Sequence, residues 1–354
     1  MFDGNIILIM SINNSRIIQF DVLRVLAAFA VVLLHTSAQR FYDCYPSEEW
    51  NVRNFYDSLV RGAVPVFIMI SGALFLNPNK NLEIKKLFAK NVTHIITIFI
   101  IWSIMYRVYS GMDDKVMGFV GGIVHGPFHF WFLKMLLGLY ISVPILRVVV
   151  NNSKLEVFLI LISMVIAFLI PMLFPLWGYF SDNTRSFVEN LYDEFRIKTA
   201  LGYVCYFLLG YYLSHTAITV KVKKYICILG IMSVVYVYVF TYLTSKHYGE
   251  PYLFLYEYIN VFTLSEALAV FVVINGIKIL PKYHRFVIIA SKLCLGIYIV
   301  HPLIMQIVFD LWKIDSATLN ALFFIPIYAF LIFFISSLLA FVLVRIPIIN
   351  KILI

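Results

Sequence analysis

Apolar residues are gathered into long blocks along the chain, and polar and charged residues fill the short intervals between them. A bilayer core of about 30 Å takes roughly 20 apolar residues of α-helix. Ten segments are candidates, at approximately residues 21 to 39, 60 to 76, 90 to 109, 129 to 147, 155 to 178, 199 to 214, 225 to 244, 257 to 276, 286 to 309 and 319 to 344. We therefore predict an all-α, polytopic integral membrane bundle of about ten transmembrane helices, of which the second and sixth are barely long enough.

The intervals between these segments indicate one domain. No composition break or proline-rich linker divides the sequence, so residues 1–354 are interpreted as a single integral membrane domain. Residues 1–20 are expected to form a short cytoplasmic tail without a cleavable signal peptide. The intervals 40 to 59, 110 to 128 and 179 to 198 are predicted to be external loops. Their aromatic and charged residues suit either the rim of a substrate site or an interfacial aromatic belt.

Composition and charge agree with a membrane location. The chain is 62% hydrophobic and 13% charged, which leaves too little polar surface for a water-soluble protein. Basic residues collect in alternate loops, and the positive-inside rule makes those loops and both termini cytoplasmic. The net charge of +9 is therefore interpreted as a topology signal, and the expected partner is the lipid bilayer rather than nucleic acid.

The cysteines carry no recognisable chemistry. There are four, Cys44, Cys205, Cys227 and Cys294, and no two are closely spaced. They define neither a disulfide framework nor a metal site, and no metal is expected.

An arginine and a histidine lie inside the first apolar segment, DVLRVLAAFAVVLLHTSAQ. Arg24 and His35 are eleven positions apart, which on an α-helix is three turns plus roughly 20° and a rise of roughly 16 Å. Both side chains are therefore predicted to point the same way, Arg24 near one membrane face and His35 near the other. Such residues in a membrane helix usually face a protein interior or a wet cavity and serve a function.

Five further residues are candidates for the lining of a site. His301 is expected near the depth of His35, either as a catalytic part or as a donor to a backbone group beside Pro302. Trp131 and Lys134 lie at the outer boundary, where Lys134 could simply snorkel. Glu266 is near the middle of the eighth segment and would need a cationic partner or a proton. Ser71, next to Gly72, marks a thin point where either a ligand or another helix could approach.

Five motifs of the sequence resemble a known family. In order they are DVLRVLAAFAVVLLHTS, VPVFIMISGALFL, HFWFLKMLLGLYISVPILR, YFLLGYYLS and LGIYIVHPLIM. Their order and spacing over nearly the whole chain are similar to the acyltransferase-3 family of bacterial integral membrane acyltransferases. Each motif alone is mostly apolar, so their succession and the arginine–histidine spacing carry the resemblance.

The resemblance implies a donor, an acceptor and two essential residues. The donor would be a cytoplasmic acyl-CoA, usually acetyl-CoA, and the acceptor an extracytoplasmic hydroxyl on a cell-surface or lipid-linked saccharide. Arg24 and His35 match the family's essential pair, and the location implied is the bacterial inner membrane. Where many relatives have several arginines after the second helix, this chain has Lys85, Lys86, Lys90 and His94. These lysines are either CoA-phosphate contacts or ordinary positive-inside charge.

Histidine chemistry fits the same activity. Acyl transfer to an alcohol needs a base that is neutral near pH 7, and His35 suits that task, with Arg24 stabilising the donor. A transient acyl-histidine is the alternative mechanism. Two other functions compete: a transporter that uses Arg24 and Glu266 to move a polar solute or protons, and a scaffold or sensor in which the buried charges only satisfy neighbouring helices.

Overall fold

Helices account for the regular structure of the described part of the chain. The computed structural model describes residues 16–111, 116–177, 181–195, 197–312 and 320–346, and within these ranges it contains no strand. The helices are α1 Ile18–Ala38, α2 Glu48–Leu59, α3 Ala63–Phe75, α4 Ile84–Tyr109, α5 Val116–His125, α6 Trp131–Val150, α7 Ser153–Met172, α8 Asp182–Glu194, α9 Ile197–His215, α10 Val220–Tyr248, α11 Val261–Asn275, α12 Pro281–Trp312 and α13 Ala321–Leu343.

The predicted membrane bundle is confirmed. Nine helical spans of the described residues are long and apolar enough to cross a bilayer, each of them coinciding with one of the ten predicted segments. The sixth segment also forms a helix, the 19-residue α9, which is not among those nine. Residues 18 to 20 belong to α1 rather than to the predicted tail, of which residues 1–15 lie outside the described part.

The three intervals predicted to be loops each contain a helix. The most consequential is α2, which continues almost directly into α3, so that a helical span runs over Glu48–Phe75. Ser47 begins α2 by accepting a hydrogen bond from the Trp50 amide. Trp50, Arg53 and Asp57 are buried, so this stretch is a packed part of the bundle and not an exposed loop.

Small residues set the tightest crossing, between α3 and α9. A Cβ on Gly72 would overlap the Phe207 carbonyl oxygen, and a Cβ on Gly210 would overlap the Met69 carbonyl oxygen. The two backbones therefore touch, as small residues allow in membrane helices. Of the two alternatives for the thin point beside Ser71, close helix packing is the one observed at Gly72.

Helix α1 lies at the centre of the bundle. It packs against α2, α3, α11, α12 and α13, and Leu23, Val32 and Leu34 on it are almost fully buried. Because α1 has neighbours on several sides, the polar groups it carries face other helices. This position brings Arg24 and His35 into the protein interior.

Candidate active site

A cavity of about 440 Å³ lies beside Arg24, between α1, α3, α4, α6 and α12. We call it the Arg24 cavity. Its cations are Arg24, Lys90 and Lys292, and both lysines are exposed. Apolar side chains such as Val31 and Leu133, which are buried, line its deeper part. The cavity therefore combines a cationic entrance with an apolar interior.

The guanidinium of Arg24 is held by a buried carboxylate, Asp21. Arg24 donates from Nη1 to Asp21 Oδ1 at 2.9 Å, and the Arg24 side chain remains 30% exposed. Arg16 donates to both oxygens of Asp21, at 2.7 and 2.8 Å. The Ser291 hydroxyl donates to Oδ1 at 2.8 Å and connects α1 to α12. One carboxylate thus holds two arginines, of which Arg24 lines the cavity.

Three more polar groups of the cavity come from α3, α4 and α6. Ser71 lines it while donating its hydroxyl to the Phe67 carbonyl at 3.0 Å, and His94 and Tyr140 also line it. Lys85 and Lys86, by contrast, are not among the lining residues. Lys86 is exposed and pairs with Glu83 at 2.7 Å. Of the three lysines singled out from sequence, the cavity brings together only Lys90 with Arg24.

His35 lies against His301 at the other end of α1. His35 Nδ1 is 2.7 Å from His301 Nε2, and the two rings are stacked with centroids 5.0 Å apart. His301 Nδ1 is 3.1 Å from the Ile297 carbonyl oxygen, which can only accept, so Nδ1 carries the hydrogen. Neutral His301 therefore accepts at Nε2, and His35 donates from Nδ1. This assignment leaves a lone pair on His35 Nε2, the form that a general base needs.

A second cavity, of about 460 Å³, is lined by His35. We call it the His35 cavity. Its polar groups are Gln39, Gln306 and Asp310. Phe128 adds an aromatic wall whose ring meets the His35 ring edge-on at 5.3 Å between centroids. This lining offers hydrogen-bonding groups and an aromatic face to a polar molecule.

One layer of side chains separates the two cavities, and in the part of the chain that the structure describes no residue lines both. The fully buried His301 ring lies 5.0 Å from His35 on one side and 6.3 Å from Tyr298, which lines the Arg24 cavity, on the other. His129 adds a third imidazole, 5.8 Å from His301, and within the described residues neither of its ring nitrogens has a hydrogen-bond partner. The Arg24 cavity reaches Val31, roughly 6 Å of helix rise below His35.

The remaining candidates lie away from both cavities. Trp131 stacks on Tyr258 with centroids 5.2 Å apart. Lys134 is exposed and donates to the His125 carbonyl at 3.2 Å, which agrees with the snorkelling interpretation. Glu266 is buried, with its Cγ against Gly62. None of the three lines the Arg24 cavity or the His35 cavity.

Sequence reasoning missed a second buried ion pair and several cavity residues. Arg61 donates to the Asp57 carboxylate, and its guanidinium lies 4.1 Å from the Tyr256 ring centroid. Asp21 and Lys292 were missed as well. Asp21, one turn before Arg24 in the first apolar segment, and Lys292, inside the predicted segment 286 to 309, are both charged residues within apolar stretches. That position was the available signal for both residues.

Comparison with known proteins supplies the family. A family model described as an acyltransferase domain, that of the acyltransferase-3 family, matches residues 17–345. A search of curated proteins and a search of solved structures each return no match. The family match covers nearly the whole chain, including Arg24, His35 and every helix of the bundle. The chain therefore belongs to the acyltransferase-3 family of membrane acyltransferases.

Proposed function

We propose that the protein transfers an acetyl group from cytoplasmic acetyl-CoA to a hydroxyl of an extracytoplasmic or lipid-linked cell-envelope glycan, in a bacterial plasma membrane. The observation that carries this proposal is the His35–His301 hydrogen bond of 2.7 Å between two cavities. This bond leaves His35 Nε2 as a basic imidazole nitrogen beside the proposed acceptor site.

The Arg24 cavity is the proposed donor site. CoA carries several phosphate charges and an apolar pantetheine arm, which match the cations at the entrance and the apolar interior. Arginine binds phosphate with a planar fork, while lysine acts as a point charge. Arg24, Lys90 and Lys292 are thus the proposed phosphate contacts. Exposed Lys85 and Lys86 would act only on the approach of the donor.

The proposed chemistry begins at His35 Nε2. His301, His129 and Tyr298 separate the two cavities, so this layer has to move aside before the thioester of bound acetyl-CoA can reach His35. His35 Nε2 then takes the proton of the acceptor hydroxyl while the oxygen attacks the thioester carbonyl, and the tetrahedral intermediate expels CoA as a thiolate. His35 then gives this proton to the thiolate. The products are an ester and free CoA thiol.

In the two-step alternative the same lone pair attacks the thioester and expels CoA as a thiolate, which gives acyl-His35. The acceptor hydroxyl then attacks the acyl carbon, its proton passes to the thiolate, and the His35 imidazole is released.

The His35 cavity is the proposed acceptor site. Its amide and carboxylate groups, Gln39, Gln306 and Asp310, can bind sugar hydroxyls, and the Phe128 ring offers a face for an apolar side of a sugar. His301, buried behind His35, acts as the group that orients the base.

Membranes supplied with acetyl-labelled CoA test this function. We expect free CoA thiol to be released and an envelope glycan to gain labelled O-acetyl ester. A solute that crosses the membrane without thiol release would instead favour the transporter, and absence of both label transfer and thiol release would overturn the acyltransferase proposal.

A further inference from the structure

We propose that Asp21 is the positioning residue of the donor site: it fixes the Arg24 guanidinium at the cavity entrance, where the guanidinium meets the phosphates of acyl-CoA. This inference rests on the proposed function, since it assigns a role to Asp21 within the same donor site. It explains why a carboxylate is buried beside a cavity that is otherwise cationic.

Asp21 has two arginine partners, one more than its single negative charge requires. Its side chain is 1% exposed. Arg16 Nε and Nη2 bind its two oxygens at 2.7 and 2.8 Å, a bidentate pair that already balances the carboxylate charge. Arg24 Nη1, at 2.9 Å, and the Ser291 hydroxyl, at 2.8 Å, then add to Oδ1. Asp21 therefore holds Arg24 in addition to being neutralised by Arg16.

Most N–H groups of the Arg24 guanidinium have no acceptor among the described residues. A guanidinium has five N–H groups, and within the described residues Asp21 is the acceptor for one of them, on Nη1. Arg24 lines the cavity and its side chain is 30% exposed. The remaining N–H groups are thus free to bind an anion that enters beside them.

Fixing Arg24 in advance strengthens such binding. A mobile arginine side chain loses rotamer entropy when it becomes ordered. Because Asp21 orders the guanidinium before the donor arrives, part of this entropy is lost on folding and no longer has to be lost on binding. Arg16 and Arg24 together carry more positive charge than Asp21 neutralises, so a net positive charge remains to attract the phosphates.

Asp21 also sets the distance between two walls of the cavity. Ser291, which donates to it, is on α12 directly before Lys292, and Lys292 is another cation of the entrance. The same carboxylate thus holds Arg24 of α1 and the segment that carries Lys292 in one arrangement. A change at Asp21 should therefore affect the phosphate end of the donor and spare its acetyl end.

The variant Asp21→Asn tests the proposal with two donors. Thiol release is measured with acetyl-CoA and with S-acetylpantetheine, which lacks the nucleotide and its phosphates. Since a hydrogen bond to a charged group contributes about 1.5–3 kcal/mol, we expect KM for acetyl-CoA to rise about tenfold or more. The value of kcat should stay within about twofold, and kcat/KM for S-acetylpantetheine should not change, because Arg24 has no phosphate to meet there.

Asp57→Asn is the matched control. Asp57 is also 1% exposed and also pairs with an arginine on its own helical span, but that arginine, Arg61, lines neither cavity, whereas Arg24 lines the Arg24 cavity. We expect Asp57→Asn to lower the unfolding temperature as Asp21→Asn does, and to leave KM for acetyl-CoA unchanged. An equal KM rise in both variants, or an equal loss with both donors in Asp21→Asn, would overturn the positioning role.

Two further measurements keep the inference separate from folding and from the proposed function. Should Asp21→Asn not fold, Ser291→Ala, which keeps both arginine pairs, is expected to raise KM for acetyl-CoA by about twofold to threefold; no rise would contradict the proposal.

CoA affinity, measured by calorimetry without turnover, should fall in Asp21→Asn and should not fall further when Asp21→Asn is added to Arg24→Ala. A wild-type protein that binds CoA in this way but releases no thiol would contradict the proposed function alone.

Discussion

At the scale of single residues, the partners of Arg24 and His35 decide what each can do. Arg24 is held by a neighbour on its own helix, Asp21, whereas His35 is oriented by His301, which is 266 positions away in the sequence. The sequence singled out Arg24, His35 and His301 because titratable side chains in apolar segments are costly. It left open whether His301 is paired with His35, because apolar periodicity does not determine which helices are neighbours.

Replacing His301 tests the orienting role. His301→Phe keeps a flat ring but removes the acceptor of the His35 Nδ1 hydrogen, so the base loses its fixed orientation and tautomer. We expect kcat for thiol release to fall by more than about tenfold, while KM for acetyl-CoA stays the same. Tyr328→Phe is the control, because it removes a hydroxyl that donates to the Met305 carbonyl of the same helix, α12. Equal kcat values for the two variants would contradict the orienting role.

At the scale of helices, hydropathy predicted the positions of the long spans and failed where polar side chains are buried. The stretch EEWNVRNFYDSL was predicted to lie in an external loop and instead forms α2. Its polar groups find partners inside the protein: Arg53 donates to the Thr36, Ser37 and Gln39 carbonyls at the end of α1. A scale that scores residues one at a time cannot register such internal partners. The same burial hides the charge pair of Asp57 and Arg61.

The crossing of α3 and α9 gives a prediction for stability. Gly72→Ala places a Cβ against the Phe207 backbone, and because neither helix can shift without disturbing its neighbours, we expect a loss of roughly 2–3 kcal/mol of stability. Gly138→Ala, in α6, is the control: nothing lies within 4 Å of the added Cβ, so helix propensity should make it neutral or stabilising by up to about 1 kcal/mol. Thermal unfolding in detergent measures both, and similar shifts for the two variants would contradict this account of the crossing.

At the scale of the whole molecule, the two cavities make the two ends of the bundle chemically different. Arg24, near the start of α1, lines the cationic cavity, and His35, near its end, lines the other. The positive-inside rule predicts that the Arg24 end is cytoplasmic, where acyl-CoA is available. The order of the motifs and the charge bias of the loops were enough to predict this orientation. The layer of His301, His129 and Tyr298 between the cavities was not predictable, since it depends on contacts between distant segments.

Cysteine labelling in cells tests the orientation. In a variant whose four native cysteines are replaced, Asn79→Cys lies on the predicted inner side and Glu250→Cys on the predicted outer side, and both positions are exposed. A membrane-impermeant maleimide should label Glu250→Cys in intact cells and Asn79→Cys only after permeabilisation. The reverse pattern would place the Arg24 cavity outside and remove its access to cytoplasmic acyl-CoA.

The central claim, that the His35 imidazole transfers the acyl group between the two cavities, is tested most directly by His35→Ala in purified, folded protein. Removing the base leaves the Arg24 cavity intact, so acetyl-CoA should bind with unchanged affinity, while acceptor-dependent release of CoA thiol should fall by at least about a hundredfold. A folded His35→Ala protein that binds acetyl-CoA and still acetylates its acceptor at the wild-type rate would contradict the account.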